Sequence, residues 1–211
     1  MKKFYNDYLD SNITYNLMEK IGIICFLVIV SGLFGWVYEY IFYYFNFGMK
    51  DFYWQGGNFL PWINIYAYGS FLIYMFSRKY KKNPLMIFLI ALISSGILEY
   101  ISGFIILKFF NLRLWDYNTE IWNFGNIGGF VCLRSVLFFG FSGLILMYLL
   151  LPMICFICKK MNTKVFFIIG LVLCSIVLFD ELYNLIFARM FDLPRARDIY
   201  QTIGIKYMKY Q

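Results

Sequence analysis

The sequence predicts an all-α fold: a polytopic transmembrane bundle of about five spanning helices with aromatic-rich re-entrant or interfacial loops. Three observations predict it. Across 211 residues the chain is 62% hydrophobic and 15% charged, too apolar for a soluble domain of this length. Several runs exceed the roughly 18 apolar residues that cross a bilayer. Lys and Arg gather in short segments between those runs, as the positive-inside rule requires.

The elements follow in order. Residues 1–20 form a polar N-terminal tail. The apolar run after it is too long for the core of a signal peptide, so it is expected to stay as the first span, over 21–45. The second span, 61–77, is the weakest, because Pro61, Asn64 and Gly69 interrupt it. The third covers 85–108. The fourth, 127–157, is long enough to tilt or to begin with a bent segment around Gly125–Gly129. The fifth covers 164–188. The connections 78–84 and 158–163 are very short, whereas 46–60 and 109–126 are longer and rich in Trp, Tyr, Asn and Gly. Aromatics there suit an interfacial belt or re-entrant backbone shielded by protein. The domain plan is thus a tail over 1–20, one transmembrane domain over 21–188 and a basic tail over 189–211, with no room for a soluble catalytic domain.

Charge sets the orientation. One face collects Lys2, Lys3, Lys20, Arg78, Lys79, Lys81, Lys82, Lys159, Lys160 and Lys164, while the other collects Lys50, Lys108, Arg113 and Arg134. This bias places the N-terminus in the cytoplasm of a multi-pass cell-membrane protein. Arg189, Arg195, Arg197, Lys206 and Lys209 oppose it, because five spans put that tail outside. The net charge of +7 is explained by this loop distribution, and nucleic acid is not an expected partner.

Other chemistries are excluded in turn. The chain has no His, and its five cysteines all lie in apolar segments, where thiols act as small core residues. Cys155 and Cys158 form a lone CxxC without a nearby His, so no metal site is expected. Phosphate-binding loop, nucleophile-elbow, zinc-protease and EF-hand patterns are missing. No catalytic residues and no cofactor are expected.

The informative residues are acids inside apolar runs. Glu39 sits late in the first span, Glu99 past the middle of the third, and Asp180 and Glu181 late in the fifth. An ionised carboxylate at mid-membrane costs at least about 2.5 kcal/mol, so such groups face a protein interior, a partner or a cavity. These spans run the same way, so alternation puts all the acids in one half of the bilayer. Arg134, early in the fourth span, falls in that half too, with the loops carrying Asn58, Arg113, Trp115, Asp116, Tyr117 and Asn126. Gly32, Gly35 and Glu39 share a helical stripe, as do Gly96, Glu99 and Gly103, so both glutamates should point into the bundle at close helix contacts. Arg134 and Arg113 are the natural counter-charges. The candidate substrate- or ion-binding set is Glu39, Glu99, Arg113, Trp115, Asp116, Tyr117, Asn126, Arg134 and Glu181. Purely architectural ion pairs remain the competing reading.

Four stretches carry a family resemblance. They are Gly35-Trp36-Val37-Tyr38-Glu39; Pro61-Trp62-Ile63-Asn64-Ile65-Tyr66-Ala67-Tyr68-Gly69; Glu99-Tyr100-Ile101-Ser102-Gly103 with Arg113-Leu114-Trp115-Asp116-Tyr117; and Asn126-Ile127-Gly128-Gly129 through Cys132-Leu133-Arg134 to Gly140. In order and spacing, over roughly residues 31–143, the chain resembles the bacterial type IV ABC-transporter permeases, also called CmpB-like. Asn64 stands where that family has a proline and Ala67 where it has a glycine, which leaves the bend before the second span undetermined. The resemblance implies membrane transport and a separate ATPase subunit. The expected cytoplasmic loops offer an ATPase little to grip, so coupling would use the N-terminal tail or another membrane subunit. Membrane lipids are expected partners, and homo- or hetero-oligomers are compatible with the pattern. Two other functions compete: an intramembrane enzyme acting on a lipid or isoprenoid-linked substrate, and a non-catalytic scaffold or accessory subunit.

Overall fold

A computed structural model describes residues 2–46 and 51–207. Lys50 and Lys209 of the charge count lie outside the described residues. The elements are α1 (Lys2–Leu9), α2 (Leu17–Asn46), β1 (Tyr53–Trp54), α3 (Asn64–Ser77), α4 (Pro84–Phe110), α5 (Leu133–Lys160), α6 (Thr163–Met190), α7 (Ala196–Thr202) and β2 (Lys206–Tyr207). Four helices, α2, α4, α5 and α6, are long and apolar enough to cross a membrane.

The second expected span is the shorter α3. Its 14 residues reach only about 21 Å at roughly 1.5 Å per residue. The reason is local. Pro61 favours extended backbone before it, and residues 55–63 run as loop into the bundle before the helix starts. That loop's polar backbone is satisfied by α2 and by its own side chains. Ile63 N donates to the Gly32 carbonyl at 3.1 Å, Trp62 Nε1 to the Val28 carbonyl at 3.3 Å, and Trp36 Nε1 to the Gln55 carbonyl at 3.1 Å. This is re-entrant backbone shielded by protein. It needs small residues on α2: a methyl group at Gly32 would overlap the Trp62 indole, and one at Gly35 would overlap Tyr66.

The fourth span starts at Leu133 rather than 127. Gly125, Gly128 and Gly129 all have positive φ, so the chain turns there instead of coiling. Inside α5 a wide π turn, Leu146–Leu150, precedes Pro152. Proline lacks an N–H and crowds the preceding turn, and the wide turn accommodates both effects.

The helices pack α2 against α3, α5 and α6, α3 against α4, and α4 against α5. The short connections 78–83 and 161–162 lie at one end together with α1, and the long connections and the C-terminal segment lie at the other. At the short-loop end Tyr8 OH donates to the Met147 carbonyl at 2.9 Å, and Lys159 pairs with Glu19 at 2.8 Å. A dry core follows, containing Leu27, Ile87, Ala91, Met147, Leu151 and Phe166. At the opposite end β2 pairs in parallel with β1, Tyr53 facing Lys206 and Trp54 facing Tyr207. The C-terminal segment is thereby stitched to the re-entrant loop.

Candidate functional site

One acid from each of α2, α4 and α6 borders a single cavity of about 260 Å³ in the long-loop half. Glu39, Glu99 and Glu181 line it, with Arg113, Trp115, Tyr117 and Arg134 from the loop and the start of α5. Asp116 and Asn126 do not line it.

Glu99 is 3% exposed and is held by neutral donors. Tyr117 OH donates to it at 2.5 Å and Ser135 Oγ at 2.8 Å. Burial, followed by the nearby carboxylates, holds the Tyr117 phenol well above its ordinary range, so it stays a donor. Glu39 is half-buried on the cavity wall, with Tyr38 and Tyr66 in its field. Glu181 accepts from Asn64 Nδ2 at 2.8 Å and from the Tyr68 hydroxyl. Asp180 faces a different way, as adjacent helical positions do. It accepts the backbone N–H groups of Phe59 at 3.0 Å and Leu60 at 2.7 Å, anchoring the re-entrant loop.

The arginines pair elsewhere than expected. Arg134 bonds Glu120, which also accepts from Tyr43 OH at 3.0 Å, and the guanidinium carbon lies 4.5 Å from the Phe42 ring centre. Arg113 pairs with Asp116 at 2.9 Å and donates to the Gly128 carbonyl. Neither takes Glu99, because the loop between α4 and α5 supplies each arginine with a closer acid. That loop is a folded unit. Asp116 caps the turn at Tyr117–Thr119 by accepting Asn118 N at 3.0 Å, and Tyr117 N donates to the Gly129 carbonyl at 3.0 Å. Trp115 Nε1 donates to the Phe130 carbonyl at 2.9 Å. Asn126 donates to Asn118 at 2.7 Å and accepts from Gly129 N at 2.8 Å. Gly129, with φ of 78°, leaves no space for a Cβ beside Asp116. Asp116 and Asn126 therefore shape the loop that aims Tyr117 at Glu99.

Sequence reasoning missed Glu120, Ser135, Asn64, Tyr66, Tyr68 and the arginines of the C-terminal segment, all of which line the cavity or touch its acids. Glu120 had a usable signal: it is the single acid between Asp116 and Arg134. Asn64 had another, as a polar residue replacing a proline. Among the described residues no three His, Cys, Asp or Glu side chains cluster so as to hold a metal. The arrangement offers hydrogen-bonding carboxylates, guanidinium groups and phenols around a space of ligand size, partly enclosed by aromatics.

A protein-family model described as "Putative ABC-transporter type IV" matches residues 24–185. Comparison with curated proteins and with solved structures finds no match.

Proposed function

The chain belongs to this type IV ABC-transporter family, a multi-pass membrane family, and on that premise we propose that it is the membrane-embedded transport component, with its cargo site in the cavity between α2, α3, α4 and α6. One observation carries the reading: two carboxylates from separate helices, Glu99 and Glu181, border an open cavity and are held by neutral donors rather than by arginines. A purely architectural lock would pair buried acids with buried bases, since an isolated charge is expensive. Here Glu99 and Glu181 are held by phenols, a hydroxyl and an amide, while the arginines go to loop acids. Neutral donors can be exchanged for a ligand at modest cost, which suits a site that fills and empties. The permease role, a cytoplasmic N-terminus and an ATPase partner at the short-loop face belong to this reading. That face carries α1 packed against α5, with Lys81 donating to the Tyr8 carbonyl at 3.0 Å, which gives a partner a folded surface rather than a bare loop.

The test is two-sided access. Tyr66→Cys in a background without the native cysteines, carried in right-side-out and inverted membrane vesicles, should react with a membrane-impermeant maleimide from both sides. Glu99→Gln should change the ratio of the two rates. Labelling from one side alone in every condition, ATP included, rejects transport through this cavity.

A further inference from the structure

We infer that the C-terminal segment completes an oxyanion subsite at one end of the cavity, in which Arg189, Arg197 and Tyr207 bind a phosphate or carboxylate group of the cargo. The inference names the chemistry of the cargo and so rests on the transport reading.

The carboxylates that line the cavity leave several of its donors unmet. Among the described residues, four buried polar atoms of its lining side chains have no partner: Arg113 Nε, Arg134 Nη1, Arg189 Nε and Tyr207 OH. The guanidinium nitrogens can only donate, and a neutral phenol also donates. Burial, followed by the neighbouring phenol of Tyr200, pushes the Tyr207 phenol above its ordinary range, which keeps its proton in place. Buried donors are normally satisfied, so unmet donors around one cavity call for a ligand rich in acceptors.

Charge leads to the same place. Every Asp and Glu of the chain lies among the described residues. Of those in or near the segment, Asp180 holds the re-entrant loop, Glu181 holds Asn64 and Tyr68, Asp198 pairs with Arg195 at 3.1 Å, Asp51 pairs with Lys206, and Asp192 is exposed and does not line the cavity. Among the described residues Arg189 and Arg197 make no ion pair. Arg189 also feels the like charge of Arg195. Like charges held together around a cavity favour an entering anion.

These groups are fixed in place rather than loose on a tail. Asn184 Oδ1 accepts Ala196 N at 2.7 Å, Tyr183 OH donates to the Pro194 carbonyl at 2.9 Å, and Tyr200 OH donates to the Phe59 carbonyl at 2.7 Å. With the β1–β2 pairing, these bonds settle the ordering cost before a ligand arrives.

The oxyanion has two sources, a soluble molecule or a lipid headgroup, and the experiment separates them. The full chain in dodecyl maltoside, a phosphate-free detergent, is titrated with inorganic phosphate at ionic strength held by chloride, and unfolding is followed by tryptophan fluorescence. In a second arm it is placed in galactolipid nanodiscs with and without phosphatidylglycerol. The expected result is stabilisation of wild type by phosphate, with binding weakened roughly tenfold for each arginine lost in Arg189→Gln and Arg197→Gln. Stabilisation by phosphatidylglycerol alone, lost in the same variants, supports the subsite and assigns it to a headgroup. The inference is overturned if neither probe stabilises beyond chloride, or if the variants respond like wild type. Should Arg189→Gln not fold, Arg197→Gln on the short helix α7 decides in the same way. Phosphate binding alongside one-sided labelling of Tyr66→Cys keeps the subsite and discards transport, and the reverse pattern discards the subsite alone.

Discussion

At the short-loop end, α2, α4, α5 and α6 bury Leu27, Ile87, Ala91 and Leu151 to full or nearly full exclusion of solvent, and charge appears only at the rim, as in Lys159–Glu19. At the long-loop end the same helices bury Glu99, Asp180 and Glu181 and leave a cavity. The difference lies in who supplies the contacts. In the dry half, helix packs on helix, and a methyl at Gly143 would overlap Ala91. In the polar half, irregular chain is inserted between helices: the re-entrant loop before α3, the folded loop before α5 and the C-terminal segment. Irregular chain brings unpaired N–H groups, amides and phenols in between the helices, and those are what buried carboxylates need.

The sharpest way to break this contrast is to put a carboxylate in the dry half. Ala91→Glu loses about 2.5 kcal/mol or more to burial of the charge and about 1–3 kcal/mol to overpacking against Gly143. It should yield little folded protein on size-exclusion chromatography. Phe138→Glu, on the cavity wall beside Arg134, should remain monodisperse with a smaller drop in unfolding temperature.

Inside the polar half the largest effect falls on Glu120. Glu120→Gln leaves Arg134 as a buried charge without its partner, which costs about 3–5 kcal/mol. Replacing both, as Glu120→Gln with Arg134→Met, should recover most of it. A double-mutant cycle in unfolding temperature measures the coupling, and additive losses would mean that the pair is not the lock on this loop.

Glu99→Gln should behave in the opposite way. The amide oxygen can still accept from Tyr117, and the amide N–H can donate to Ser135 Oγ, whose proton then goes to the Cys132 carbonyl at 2.8 Å, so stability should change by no more than about 1 kcal/mol. Vesicle labelling at residue 66 should nevertheless change. A large stability loss would move Glu99 to the architectural class with Glu120.

Legibility in the sequence followed the same division. The four long spans were readable because each is one uninterrupted apolar run, and Glu39 and Glu99 stood out because such runs seldom contain acids. The convergence of α2, α4 and α6 followed from alternation alone. The pairing did not, because Arg134 meets Glu120 through the fold of the loop between α4 and α5, and loop geometry has no period to read. For the same reason the start of α5 fell six residues later than expected, after glycines that turn rather than coil. The C-terminal segment was the least legible. Its arginines counted only as charges against the orientation rule, and their place on the cavity depends on a two-residue strand pairing no local pattern announces.

The smallest effect tests how firmly that segment closes the polar half. Asp198 is held below its usual carboxylate range by hydrogen bonds from the Arg195 side chain and backbone. A carboxyl depressed in the fold contributes stability above its ordinary value of 3.8 and loses it as pH falls through the lower folded value. Acidification below about pH 4 should therefore loosen α7 before the helices of the dry half respond. The side chain is partly exposed, and solvent screens the pair, so the change should be local rather than global. Hydrogen exchange at Ala196–Thr202 checks it: protection there should fall over that window in wild type and be low throughout in Asp198→Asn. Equal loss across α2 and α5 would mean that the segment and the dry half unfold as one unit, and the division between the halves would not extend to stability.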